Sequence, residues 1–146
     1  MIKRNEMKNR RRMTWGILAA VILLCLIVPY AFRRWQKEHT GIPDAVSSTS
    51  DGSGCRLTVV ANCDKIKDRE EFAWEVIEMC RNNSFHTIRL STDISGWPAS
   101  LDIAVYLHKA DIGVKEEVMR IRYEPRDNKR EYDIKNDADK YELIIE

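Results

Sequence analysis

The sequence predicts an α+β protein: a single N-terminal transmembrane helix, then a small open-faced βαβββ(β) sandwich with one long helix on one face of a mixed sheet. Three observations carry this reading. Thr14 to Phe32 (TWGILAAVILLCLIVPYAF) is an uncharged run of nineteen residues. Between Asp68 and Asn83, apolar residues recur at helical spacing. On both sides of that helix, short runs rich in β-branched residues alternate apolar and polar positions, the period of a half-buried strand.

The apolar run comes first in the chain. As a helix it would reach about 28 Å, close to the hydrocarbon thickness of a bilayer. Arg10, Arg11 and Arg12 precede it, and Arg33 and Arg34 follow it. Six Lys/Arg lie before the run and three lie close after it. The positive-inside bias therefore expects residues 1–13 as a basic cytoplasmic tail, 14–32 as a transmembrane helix in the cell membrane, and the C-terminal part outside the cytoplasm. A cleaved signal peptide is a poorer fit, because its apolar part usually runs ~7 to 15 residues and ends in small residues at the cut. Here Pro29 stands two places before Ala31, and the large Leu23 and Leu24 precede Cys25 where a lipoprotein signal wants small residues. An uncleaved signal anchor is expected, with the lipid bilayer as the first partner.

Charge divides the chain. Residues 1–40 carry nine Lys/Arg against Glu6 and Glu38, a balance of +7, and the remainder balances at −6. An acidic domain lacks the basic face that nucleic-acid binding requires, so no nucleic-acid partner is expected. Residues 33–54 read as a flexible polar linker: Gly41-Ile42-Pro43-Asp44 is turn-like, and Ser47 to Gly54 holds no apolar anchor.

The domain is expected over 55–146. Arg56 to Asn62 alternates as a strand, with Leu57, Val59 and Ala61 on the core side and Cys55 and Cys63 at the same parity. Asp68 is an N-cap candidate, with Glu71 three residues on. Phe72, Ala73, Val76, Ile77 and Cys80 form the inner stripe of the helix, which Asn82-Asn83 ends. Asn82-Asn83-Ser84 also matches the glycosylation acceptor pattern. His86 to Thr92 (HTIRLST) reads as a second strand, and Asp93 to Ser100 as a turn presenting Trp97. Leu101 to His108, Val118 to Glu124 and Tyr141 to Ile145 read as the remaining strands, with a short strand at Glu131 to Ile134 as a further candidate. The strands flanking the helix should run parallel and the later ones antiparallel. The uncovered sheet face is then lined by Thr58, Arg89, Ser91, Asp102, Tyr106, His108, Arg120 and Arg122.

Chemistry is sparse. The expected path of the helix back over the first strand brings Cys80 above Cys55, so Cys55 and Cys80 are the candidate disulfide pair and Cys63 stays unpaired. No Cys-x-x-Cys or Cys/His pair stands at ligand spacing, so neither metal nor cofactor is expected. Groupings such as Cys63/His86/Asp93 or Cys63/His108/Asp102 could serve nucleophilic chemistry only if the fold assembled them. There is no Gly-x-Ser-x-Gly element and no glycine-rich phosphate loop. No catalytic residue is assigned. The expected function is a non-enzymatic, membrane-anchored protein whose extracytoplasmic domain binds another protein, as an accessory module of an envelope complex. Trp97, Tyr106, His108, Arg89, Arg120 and Arg122 are the candidate contact residues. The alternatives are a membrane-tethered enzyme using Cys63 or a histidine, and a ligand-sensing domain.

Overall fold

A computed structural model of the chain describes residues 2–93, 96–127 and 131–146, with side chains described from Met13 onward. It forms two units, divided after Lys37.

The first unit is helical. Helix α1 runs Ile2–Glu38 with Pro29 inside it, so the backbone of the basic tail is helical as well. Within α1, Met13–Glu38 is long and apolar enough to cross a membrane, a property that a signal sequence shares. Its large apolar side chains from Met13 to Trp35 are all more than half exposed, which in water would be unfavourable for so many residues.

The second unit is a five-stranded mixed sheet whose spatial order equals its chain order, β1 to β5. The strands are β1 (Asp44–Ser50), β2 (Gly54–Val60), β3 (Ser100–Tyr106), β4 (Met119–Pro125) and β5 (Tyr141–Ile145), with helix α2 (Arg69–Asn82) between β2 and β3. Only β2 and β3 are parallel; the other neighbours are antiparallel.

Three expectations are corrected here. The residues taken as a flexible linker, 33–54, hold the end of α1, a short connection and all of β1. Serine is a weak strand former, but β1 is fixed by its surroundings. Pro43 and Ala45 are buried, and Asp51-Gly52 turns the chain into β2. Gly52 takes φ +98°, open to glycine at little cost. Asp51 closes the turn, its N–H donating to the Gly54 carbonyl (3.1 Å) and its carboxylate accepting from the Gly54 N–H (3.0 Å).

The strand expected at His86 to Thr92 is a loop, and the parallel partner of β2 is the later segment 100–106. Alternation in HTIRLST does match burial, since Leu90 is buried and Ile88 is partly buried. The backbone groups, however, bond to side chains rather than to a neighbouring strand. Asp44 accepts from the His86 N–H (2.8 Å), the Thr87 N–H (3.1 Å) and the Thr87 hydroxyl. Asn83 grips Leu90 at both its N–H (2.7 Å) and its carbonyl (2.9 Å). The candidate strand at Glu131 to Ile134 is likewise a turn segment, with Ile134 fully buried.

Helix α2 follows its sequence signals closely. Asp68 caps it, accepting from the Glu70 and Glu71 N–H groups (3.0 and 2.9 Å). Its buried residues are Phe72, Ala73, Val76, Ile77 and Cys80. It ends at Asn83, in the left-handed region at φ 51°, with the Ser84 N–H reaching back to the Met79 carbonyl (3.0 Å). The stripe packs on the inward residues of the sheet, including Leu57, Val59, Ile103, Val105, Ile121 and Tyr123, in one continuous core. The opposite face, with Arg56, Thr58, Asp102, Ala104, Arg120 and Arg122, is exposed or half-buried and mostly polar.

Candidate functional site

The sequence-derived contact residues do not form one surface. Arg120 and Arg122 lie on the open face, but both are occupied. Arg120 makes a two-pronged bond to Asp102 (both 2.8 Å) and reaches Glu117 (3.1 Å). These carboxylates hold its guanidinium protonated well above the usual arginine range. Arg122 pairs with Glu146. Arg89 lies on the 84–92 loop, where its guanidinium donates to the Asn83 carbonyl (3.3 Å). Tyr106 ends β3 and His108 follows it, at one end of the sheet. Trp97 precedes β3, at the other end.

At the Trp97 end there is a groove of about 560 Å³ whose lining includes Ser48, Ser50, Cys55, Trp97 and Tyr132. Trp97 packs partly against the core, and the Lys135 ammonium sits 5.5 Å from its ring centre. The groove wall is braced by backbone bonds from Ala99 to Ser53 (2.7 Å) and from Ile134 to Pro98 (3.1 Å). On its rim, Ser47 to Ser50 form the exposed, uncharged half of an edge strand. A register shift between Ala45 and Ser47 separates that half from the start of β1, which Asp44 ties to the 84–92 loop.

Cys55 and Cys80, the expected disulfide partners, are free and buried in the core. Burial pushes both thiols up from their ordinary range. The Asp51 charge adds to this at Cys55, and the nearby Cys55 adds to it at Cys80. Neither is an activated nucleophile. Cys63 is half-buried against the core at the far end of β2, and no hydrogen bond joins it to His86 or His108 among the described residues. His108 pairs with Asp64 (3.1 Å) and Asp102 pairs with Arg120, so the Cys63/His108/Asp102 grouping does not assemble. The backbone N–H of His86 is held by Asp44.

The carboxyl ends of the parallel strands bring together three residues that the sequence reading kept apart. His39 Nε2 lies 3.4 Å and His108 Nε2 lies 3.1 Å from the same oxygen, Asp64 Oδ1. The two imidazole centres are 4.8 Å apart. Hydrogen bonds brace the scaffold. An Ala61 N–H bond to the Tyr106 carbonyl (2.8 Å) extends the parallel pair toward Asp64 and His108. Asn62, in the left-handed region at φ 52°, accepts from the Gly41 N–H (2.7 Å) and donates through its side chain to the Ile42 carbonyl (2.9 Å). Asn62 thereby pins the segment that carries His39. Beyond β3, Asp111 accepts from the His108 N–H (3.2 Å) and pairs with Lys115 (2.7 Å). Those bonds, the Lys115 hydrogen bond first, outweigh the opposing effect of burial and hold the Asp111 carboxyl below its ordinary range.

No spacing motif could have revealed this cluster, since its members come from three separate connections. The available signal was topological: ligand sites in open sheets gather at the carboxyl ends of parallel strands. No protein-family model matches the chain, and no match is found among curated proteins or solved structures.

Proposed function

We propose that the chain is a single-pass membrane protein, with its N-terminus in the cytoplasm, whose extracytoplasmic α+β domain is a binding module for another protein. The partner contributes an extended segment that lies along Ser47 to Ser50 and places side chains in the groove beside Trp97 and Tyr132. The observation that carries this reading is the conjunction of an exposed, uncharged edge-strand segment with an aromatic-lined groove. Natural proteins usually blunt such edges with charge, proline, bulges or cover; the Ala45/Ser47 shift and Asp44 guard the start of β1, and Ser47 to Ser50 carry neither charge nor proline. An added strand gains main-chain hydrogen bonds, while pockets beside it read alternate side chains.

The groove that carries this reading holds a buried, unactivated thiol and is lined by none of the three histidines, so the groove itself suits binding; Cys63 and the histidines of the enzyme alternative lie outside it. The ion pairs on the open face favour the edge over that face, because Arg120 and Arg122 already have carboxylate partners. The anchoring part of the proposal rests on the apolar length of α1 and on the excess of basic residues before it.

Photo-crosslinking of the full-length protein in intact cells tests the reading. A crosslinking residue placed at Ser48 or Trp97 should capture one defined protein, and the adduct should form on the outer side of the membrane. Residues placed at Ala104 or Ile144, on the open face, should not capture it. Capture only from the open-face positions, or adducts formed only in the cytoplasm, would refute the proposal.

A further inference from the structure

We propose that His39, Asp64 and His108 form a three-ligand site for a divalent first-row transition ion, zinc foremost. The inference rests on the domain's internal geometry and is independent of the binding-module reading.

The donor set and its spacing both point to this class of ion. Two imidazole nitrogens and one carboxylate oxygen suit zinc and its neighbours, whereas calcium and magnesium take all-oxygen shells. With metal–ligand bonds of about 2.0–2.1 Å, the ligand atoms of a tetrahedral zinc stand roughly 3.3 Å apart. The observed separations of 3.4 and 3.1 Å from the two Nε2 atoms to Asp64 Oδ1 match two edges of that tetrahedron. The third pair of donor atoms lies within 4.8 Å, so a small rotation of the rings closes the set.

The surroundings agree. His39 and His108 are mostly shielded, with side chains 26% and 20% exposed, while the Asp64 side chain is 82% exposed. The ion would thus be reached from solvent on the Asp64 side, where the fourth position stays open to water or to a donor from another molecule. His108 Nδ1 is buried without a hydrogen-bond partner among the described residues. His108 Nε2 already points at Asp64 Oδ1 (3.1 Å), so a metal at Nε2 would take over a contact already aimed at the site. The backbone bonds through Asn62 and Tyr106 hold two of the three ligand-bearing segments before any ion arrives, which lowers the ordering cost of binding. Since His39 directly follows α1 in the chain, an ion here would fasten the residue next to that helix onto the domain.

The test uses the full 146-residue chain, purified in detergent micelles without a histidine tag and stripped with chelator. Zinc is titrated in competition with a chromophoric chelator, and cobalt(II) substitution supplies a visible spectrum. The expected result is one zinc per chain and the intense visible bands of four-coordinate cobalt. Asp64→Asn keeps the shape and the hydrogen-bond acceptor but removes the charged ligand. It should weaken binding by at least tenfold, since even outer-shell changes cost about 10–100-fold. His39→Ala and His108→Ala should do the same, while His86→Ala, which alters the third histidine of the chain, should leave binding unchanged. Circular dichroism of each variant separates loss of ligand from loss of fold. Substoichiometric binding by the intact protein, six-coordinate cobalt spectra, or binding that survives Asp64→Asn in a folded protein would overturn the assignment.

Discussion

Replacing Asn83 tests whether side-chain clamps really stand in for the missing strand. Asn83 does two things at once. It ends α2 in the left-handed region at φ 51°, and its amide makes the paired bonds to the Leu90 backbone at 2.7 and 2.9 Å. Leu90 is buried, at 6% exposure, and both bonds are part-buried, so water would compensate its freed N–H and carbonyl only in part. Losing one net hydrogen bond costs about 1 kcal/mol, and stranding a buried partner costs about 1–3 kcal/mol. An alanine in the left-handed region adds roughly 1–2 kcal/mol. Allowing for relaxation of the loop, Asn83→Ala should destabilise the domain by about 3 kcal/mol. Asn83→Gly loses the clamp but not the backbone conformation, and should be about 1 kcal/mol less damaging than alanine. The assay is urea unfolding of the full chain in micelles, in a Trp15→Phe/Trp35→Phe background, so that the signal comes from Trp74 and Trp97. If alanine costs less than about 0.5 kcal/mol, the clamp does not hold the loop. If glycine and alanine are equal, the left-handed cap contributes nothing.

Three further outcomes are expected. Ile77→Ala, at a fully buried position under the sheet, should cost about 2–5 kcal/mol in the same unfolding assay, and a near-neutral result would contradict the packing of α2. Because Asp111 titrates below its ordinary range when folded, its contribution to stability is present above its unfolded pKa and is lost as pH falls through the lower folded value. Asp111→Asn should therefore flatten the acid limb of a stability–pH profile, and an unchanged limb would dismiss the Lys115 contact. Half-buried Cys63 should react with a water-soluble thiol reagent before Cys55 and Cys80, whose burial pushes both thiols up; labelling of Cys80 ahead of Cys63 in the folded chain would refute that packing.

Legibility in the sequence followed how local each determinant was. The cap of α2, its five buried positions and its asparagine terminus involve neighbours within a turn or two, and all were readable. Strands β4 and β5 were readable from alternation alone. The strand β1 was hidden because serines suit a linker as well as an exposed edge. Its signal was the Asp51-Gly52 pair, a hairpin turn cue that the surrounding serines obscured. HTIRLST has the right alternation yet forms no ladder, since Asp44 and Asn83, far from it or just before it in the chain, satisfy its amides. His39 falls within the stretch expected as a linker, and only the return of the chain past Asn62 brings it to Asp64 and His108.

These placements also explain why the open face, the natural first choice for a contact surface, is weaker than the two ends of the sheet. Asp102 stands opposite Arg122 in the β3–β4 register and bonds to Arg120, one row away. Glu117 adds to the Arg120 pairing and Glu146 holds one end of the Arg122 guanidinium, whose Nε is buried without a partner among the described residues. An acidic partner seated on Arg120 or Arg122 would have to displace carboxylates already in place, and a basic one would meet the flanking guanidinium groups. The ends differ in kind. The hairpin end offers an exposed, uncharged edge segment and an aromatic wall, the two features on which the peptide-binding proposal rests. The end at the carboxyl termini of β2 and β3 offers two imidazoles and a carboxylate on a braced scaffold, which suits an ion. A single parallel pair within an otherwise antiparallel sheet produces that division. It directs the loops after β2 and β3 to one end, where Asp64 and His108 meet, and leaves the β1–β2 turn and the approach to β3 to form the groove at the other.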